Sequence, residues 1–185
     1  MKKTFLILCV MGVLTACNNS GSSADNKKDT SANSTMSTAP STETKAERNR
    51  QTALAAVQAI NSHDINNGFK DMTADAVDYG DGSGKPMKNL DSVKAIVGEY
   101  LKAFPDFKGD NAEAFSNADG SKVIVVGEYS GTFKGDFMGM KHTGKSFKYW
   151  DGDLFTFNDD GKITSHRSIQ SNMTMMAQIG AKMPK

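Results

Sequence analysis

Between residues 46 and 62, Leu54, Val57 and Ile60 fall among alanines at helical spacing, which predicts an amphipathic helix ending near Asn61 and Ser62. His63-Asp64-Ile65 leads into a second short helix, with Asp64 as N-cap of the turn that holds Phe69 and Met72. Ala76 to Tyr79 reads as a brief strand. The next stretch, Gly80-Asp81-Gly82-Ser83-Gly84-Lys85-Pro86, has no hydrophobic period and is dense in turn formers, so it predicts a surface loop at the mouth of a site. It lacks the spacing of a phosphate-binding loop. Asn89 or Asp91 caps a third helix in which Val93, Ile96, Val97, Tyr100, Leu101 and Phe104 recur at three and four residues until Pro105 stops it. The period then changes to two. Strands are expected near 107–116, 122–132, 145–157 and 162–172, with Asp119-Gly120 and Asp160-Gly161 as hairpin turns.

Helices followed by a meander of strands predict an α+β domain over residues 46–185, in which one sheet face packs on the helices. A curved antiparallel sheet wrapped round the N-terminal helices leaves a cone, and its open end is a natural ligand pocket.

The N-terminus carries a different signal. Lys2 and Lys3 precede an apolar run from Phe5 to Val13, followed by Leu14-Thr15-Ala16-Cys17, which is the order of a signal peptide. The run is shorter than the roughly 20 residues a membrane-spanning helix needs. The segment resembles the lipobox of bacterial lipoproteins; the resemblance implies cleavage after residue 16 and lipidation of Cys17. An ordinary secretory signal with an incidental cysteine is the alternative. Residues 17–45 then form a tether of Ser, Thr, Asn and Ala without an aromatic residue, too polar to offset its ordering entropy. Asn18 differs from the aspartate that marks inner-membrane retention in the lipoproteins it resembles. For a Gram-negative host, that implies an outer-membrane anchor with the domain facing the periplasm.

Charge and cysteine usage remove several functions. With 22 Lys and Arg against 21 Asp and Glu, interspersed, the chain has no basic stripe to neutralise phosphates, and nucleic acid is not an expected partner. Its cysteines are Cys9, in the signal, and Cys17, so disulfides, a thiolate nucleophile and a thiolate metal site are not expected in the mature protein.

Several pieces of the domain carry a further resemblance: His63-Asp64 after the first helix, Ala103-Phe104-Pro105-Asp106 closing the third, and Gly131-Thr132-Phe133 through Phe137-Met138-Gly139. Thr143-Gly144-Lys145, Asp153-Leu154-Phe155 leading to Asp160-Gly161-Lys162-Ile163, and His166 complete the series. In this order and spacing they resemble the SnoaL-like polyketide cyclase branch of the nuclear-transport-factor-2-like superfamily. That superfamily hosts cyclases, isomerases, dehydratases and proteins that only bind, so the resemblance implies a fold more than an activity. The family pattern in the last strand is His-Trp-Asp, whose aspartate the resemblance would name as the base. Here the stretch is His166-Arg167-Ser168. A serine hydroxyl cannot take a proton unaided at neutral pH.

Alternation along Phe147 to Phe155 places Phe147, Tyr149, Asp151, Asp153 and Phe155 on one face, two carboxylates among aromatic rings. Burial and mutual repulsion can tune such a carboxylate for proton transfer without a cofactor. Asp153 and His166 are the candidate catalytic pair. Tyr79, Tyr149, Trp150, Asp151, Ser168 and Phe137 are candidate ligand contacts. Asp151 could instead face solvent or pair with Lys148 or Arg167, and His166 could be a satisfied sheet histidine. Met138, Met140 and His142, with Met173, Met175 and Met176, could supply soft copper ligands, but methionines also fill apolar gaps, and no metal is assigned. The leading expectation is a membrane-tethered domain binding a small hydrophobic molecule. A cofactor-independent isomerase or cyclase that abstracts a proton beside a carbonyl is the alternative, with Tyr79 or Ser168 stabilising the enolate. A third reading is a homodimeric interaction module using the open sheet face.

Overall fold

Thr44 starts the first helix: its hydroxyl oxygen accepts the Glu47 N–H at 3.1 Å, relieving one of the helix's orphan donors. The computed structural model describes residues 43–181, so the signal peptide, Cys17 and all but the last residues of the 17–45 tether lie outside the described residues. In chain order the elements are α1 Lys45–Asn61, α2 Ile65–Phe69, β1 Met72–Asp78, α3 Leu90–Ala103, β2 Lys108–Ser116, β3 Lys122–Thr132, β4 Ser146–Phe157, β5 Ile163–Ser168 and α4 Asn172–Ile179. Among the described residues, no helix is long and apolar enough to cross a membrane.

The caps fall where side-chain chemistry places them. Asp64 accepts the Asn67 N–H at 3.1 Å to open α2, and Asn89, rather than Asp91, accepts the Ser92 N–H at 2.9 Å to open α3. Both hairpin turns close at a glycine in the left-handed region, Gly120 at φ +71 and Gly161 at φ +77. At Gly120 the requirement is also steric, because a Cβ would lie 2.7 Å from the Ala46 Cα.

The five-stranded sheet is ordered β1-β5-β4-β3-β2. Its antiparallel meander is extended at one edge by β1, which runs parallel to β5. The expected antiparallel meander is present, and β1 makes the whole sheet mixed because the α3 crossover carries the chain to the far side of the meander. β1 is also longer than expected. β5 ends at Ser168, short of the 172 expected, and the chain then turns into α4, capped by Ser171 and closed by Gly180 at φ +66. Where β5 leaves β4 uncovered, Gln178 of α4 takes its place: its Oε1 accepts the Lys148 N–H at 2.8 Å and its Nε2 donates to the Lys148 carbonyl at 3.2 Å.

The core lies between the sheet and the helices. α1 buries Ala53, Ala56 and Val57; the small alanines let the helix approach the strands closely, while Leu54 packs at the margin. Phe104 stacks on Phe133 with centroids 5.1 Å apart and meets Phe147 edge-on at 5.5 Å. The methionine-rich segments serve this packing. Met140, Met175 and Met176 are buried in the core, whereas Met138 and Met173 are exposed and His142 binds Asp136 through Nδ1 at 2.9 Å.

Asn49 is a fully buried polar residue of α1. Its Nδ2 donates to the Gly120 carbonyl at 2.8 Å, tying the first helix to the β2–β3 turn. Asn49→Leu should leave that buried carbonyl unpaired and lower stability by about 1–3 kcal/mol. The readout is a lower urea midpoint at unchanged m-value; an unmoved midpoint would show that the tie contributes nothing.

Candidate functional site

Two strand registers assemble the site. The parallel β1–β5 pair sets Asp78 beside His166, and the antiparallel β4–β5 pair sets Asp153 opposite Ser168 and Phe155 opposite His166. On one sheet face, side chains offset by two residues across a pair are within reach of each other. His166 uses this fully, its Nδ1 lying 3.1 Å from Asp78 Oδ2 and its Nε2 3.0 Å from Asp153 Oδ1. The second oxygen of Asp153 accepts the Tyr129 hydroxyl at 2.5 Å. The result is a continuous chain, Asp78 to His166 to Asp153 to Tyr129.

Asp151, one pleat along β4, accepts from Ser168 Oγ at 2.8 Å, from the Gln170 N–H at 2.8 Å and from the Gly152 N–H at 2.6 Å. Ser168 therefore serves a carboxylate and does not bond the imidazole, so no Ser-His-Asp triad exists here.

The electrostatics follow from these contacts. Burial opposes the His166 imidazolium, but hydrogen bonds and charge attraction from Asp153 and Asp78 outweigh it and raise its pKa to about 10. An acceptor on each side fits a ring that donates both N–H groups. Burial likewise opposes the Asp78 anion, but the hydrogen bond and charge of His166, and the Gly80 N–H that donates to the other oxygen, hold its pKa below the usual carboxylate value. Asp151 goes the other way: burial raises its pKa despite three donors, and the neighbouring Asp153 charge adds to the rise.

These groups form one wall of a cavity of about 300 Å³. The remaining walls are mostly apolar or aromatic, including Val57, Ile60, Phe69, Val93, Val97 and Phe107, with Tyr100, Tyr129 and Tyr149 adding rings that carry hydroxyls.

The family model that matches is the SnoaL-like polyketide cyclase, over residues 50–179. The chain belongs to that family. Solved structures similar to this SnoaL-like domain include a candidate polyketide cyclase from Xanthomonas campestris pv. campestris, at 15% identity and TM-score 0.67, covering 74% of this chain and 99% of that one. A candidate polyketide cyclase from Pseudomonas putida matches at 18% identity and TM-score 0.64, covering 74% and 98%. The candidate hydroxylase AclR from Streptomyces galilaeus matches at 24% identity and TM-score 0.61, covering 73% and 97%. These likenesses establish the fold. No curated protein matches the sequence.

Of the residues singled out from the sequence, the SnoaL-like fold brings Tyr149, Asp151, Asp153, His166 and Ser168 to the cavity wall. Three others lie elsewhere. Trp150 alternates onto the opposite sheet face, where it is exposed beside Ile124, Val126 and Ile169. Tyr79 lies beneath the Arg167 guanidinium, 4.9 Å from its ring centroid, and Phe137 packs edge-on against Tyr100 at 5.7 Å; neither is among the cavity-lining residues. Both nitrogens of His166, a candidate catalytic residue, face carboxylates. Asp78 and Tyr129 were not anticipated. Tyr129 carried a signal, since the alternating pattern of β3 puts it on the same face as Val123 and Val125. Asp78 carried none without knowledge of the parallel pairing. Among the described residues, no group of three His, Cys, Asp or Glu side chains is placed to hold a metal ion.

Proposed function

We propose that the SnoaL-like domain binds a small, largely apolar molecule in this cavity and holds one polar group of it against the Asp78–His166–Asp153 wall. The observation that carries the reading is the cavity itself, about 300 Å³, with apolar and aromatic sides and a single polar wall. That volume is at the low end of ordinary small-molecule sites. The leader motif extends the proposal: Cys17 carries a lipid anchor, and the domain works in the cell envelope, from the outer membrane of a Gram-negative host.

A second reading, acid–base isomerisation or cyclisation, is favoured by Asp151. Its pKa is raised, chiefly by burial, and it faces the cavity, as a group that exchanges protons with a bound molecule must.

The test is native mass spectrometry of the full-length protein, extracted from its own host in mild detergent, with any released small molecule identified. We expect a retained apolar compound of mass compatible with the cavity, and an acyl mass on the Cys17 peptide. A ligand-free protein of dimer mass would overturn the binding reading and direct attention to the exposed outer sheet face around Trp150 and Ile169. An unmodified Cys17 would overturn the anchor.

A further inference from the structure

The polar wall is unbalanced in charge. Asp78, Asp151 and Asp153 face one imidazolium, His166, which leaves an excess of up to two negative charges, and no lysine or arginine is among the described lining residues. Most donors beside the carboxylates are already engaged, the Tyr149 hydroxyl and the Asn172 amide excepted. His166 gives both N–H groups to carboxylates, and Tyr129 and Ser168 give their hydroxyls to Asp153 and Asp151. Asn61, also in the lining, adds an acceptor, its Oδ1 buried without a hydrogen-bond partner. The wall thus offers mainly acceptor oxygens to an incoming molecule. The lining also carries the rings of Phe69, Tyr100, Phe107, Tyr129 and Tyr149, whose faces carry the negative end of the aromatic quadrupole.

We infer that the molecule taken by this cavity carries an alkylammonium group, seated against the carboxylates and among the aromatic rings. The inference rests on the pocket-binding reading and names its ligand class. A cation gains from both features together: Coulomb attraction in a partly dehydrated site and cation–π attraction, which strengthens on desolvation. An anion would meet the carboxylates without a compensating base, and a neutral carbonyl would find few free donors. The tyrosines report the same field. Burial raises the Tyr149 hydroxyl pKa first, and the charges of Asp151 and Asp153 add to the rise; that second contribution favours a cation in the same space. It also opposes an enolate, which sets this inference apart from proton abstraction beside a carbonyl.

The experiment titrates the full-length protein at pH 7 and fixed ionic strength with three probes of similar size: benzyltrimethylammonium, phenylacetamide and phenylacetate. Calorimetry measures affinity, and the ring resonances of Tyr129, Tyr149 and His166 locate binding by NMR. The cation should bind at least about tenfold tighter than either other probe and shift those resonances. Asp151→Asn, checked for native circular dichroism, should erase most of that advantage. Phenylacetamide or phenylacetate binding as tightly as the cation would overturn the cation inference and leave the cavity-binding reading standing. Ring resonances unmoved by all three probes would overturn both.

Discussion

His166→Ala should lower the free energy of unfolding by about 3–5 kcal/mol near pH 6, because removing one partner of a buried charged cluster leaves the others uncompensated. The His166, Asp78 and Asp153 side chains are 20%, 13% and 20% exposed, so water would screen the stranded carboxylates poorly. Urea denaturation of mutant and wild type measures the loss, and a second substitution, Asp78→Asn, should recover part of it by removing one of the opposed charges. A loss under about 1 kcal/mol would show that the ring does not hold the wall together.

The wild-type protein should show the same coupling through pH. His166 has a folded pKa of about 10 against an ordinary 6.5. The folded state therefore binds its proton more tightly, and the stabilisation is complete below about pH 6.5 and lost as pH rises towards 10. Asp78 has the opposite sign. Its folded pKa lies below the ordinary 3.8, so its contribution is present above pH 3.8 and lost on acidification. Together they place the cluster's greatest contribution between about pH 4 and 6.5. His166→Ala should flatten the alkaline fall, and an unchanged slope between pH 6.5 and 10 would count against the assignment.

Phe104→Ala should cost about 3–5 kcal/mol, the usual range for deleting a buried aromatic ring. Phe104 is 1% exposed. It is stacked on Phe133 and also packs against Tyr100, with centroids 4.7 Å apart. Tyr100 lines the cavity, so the deletion should loosen the cavity wall and weaken ligand binding as well as stability. A midpoint shift equivalent to less than about 2 kcal/mol would mean that Phe133 and Phe147 collapse into the space.

The elements were largely legible because their signals are local. The three-and-four spacing from Val93 to Phe104 ends at Pro105 and appears as α3 with little change in its boundaries. The Asp-Gly pairs at 119–120 and 160–161 supply the positive-φ glycines that close both hairpins. α4 was hidden because Met173, Met175 and Met176 suit a strand, a helix or a soft-ligand cluster equally, and only packing against β4 selects the helix. Trp150 was misplaced functionally because alternation shows which residues share a face but not which face is covered.

The sequence by itself determined the Asp64 cap, the two Asp-Gly turns, the period of the meander strands and the sharing of one β4 face by Tyr149, Asp151 and Asp153. Each of these depends on interactions within a few residues. The tertiary structure decided the chemistry: Asp78 and His166, 88 positions apart, meet only because β1 docks parallel to β5, a long-range pairing with no local signature. That contact holds His166 between two carboxylates, which raise its pKa to about 10. The fold thereby sets the charge of the cavity wall, because burial and proximity, not residue type, govern where a proton resides.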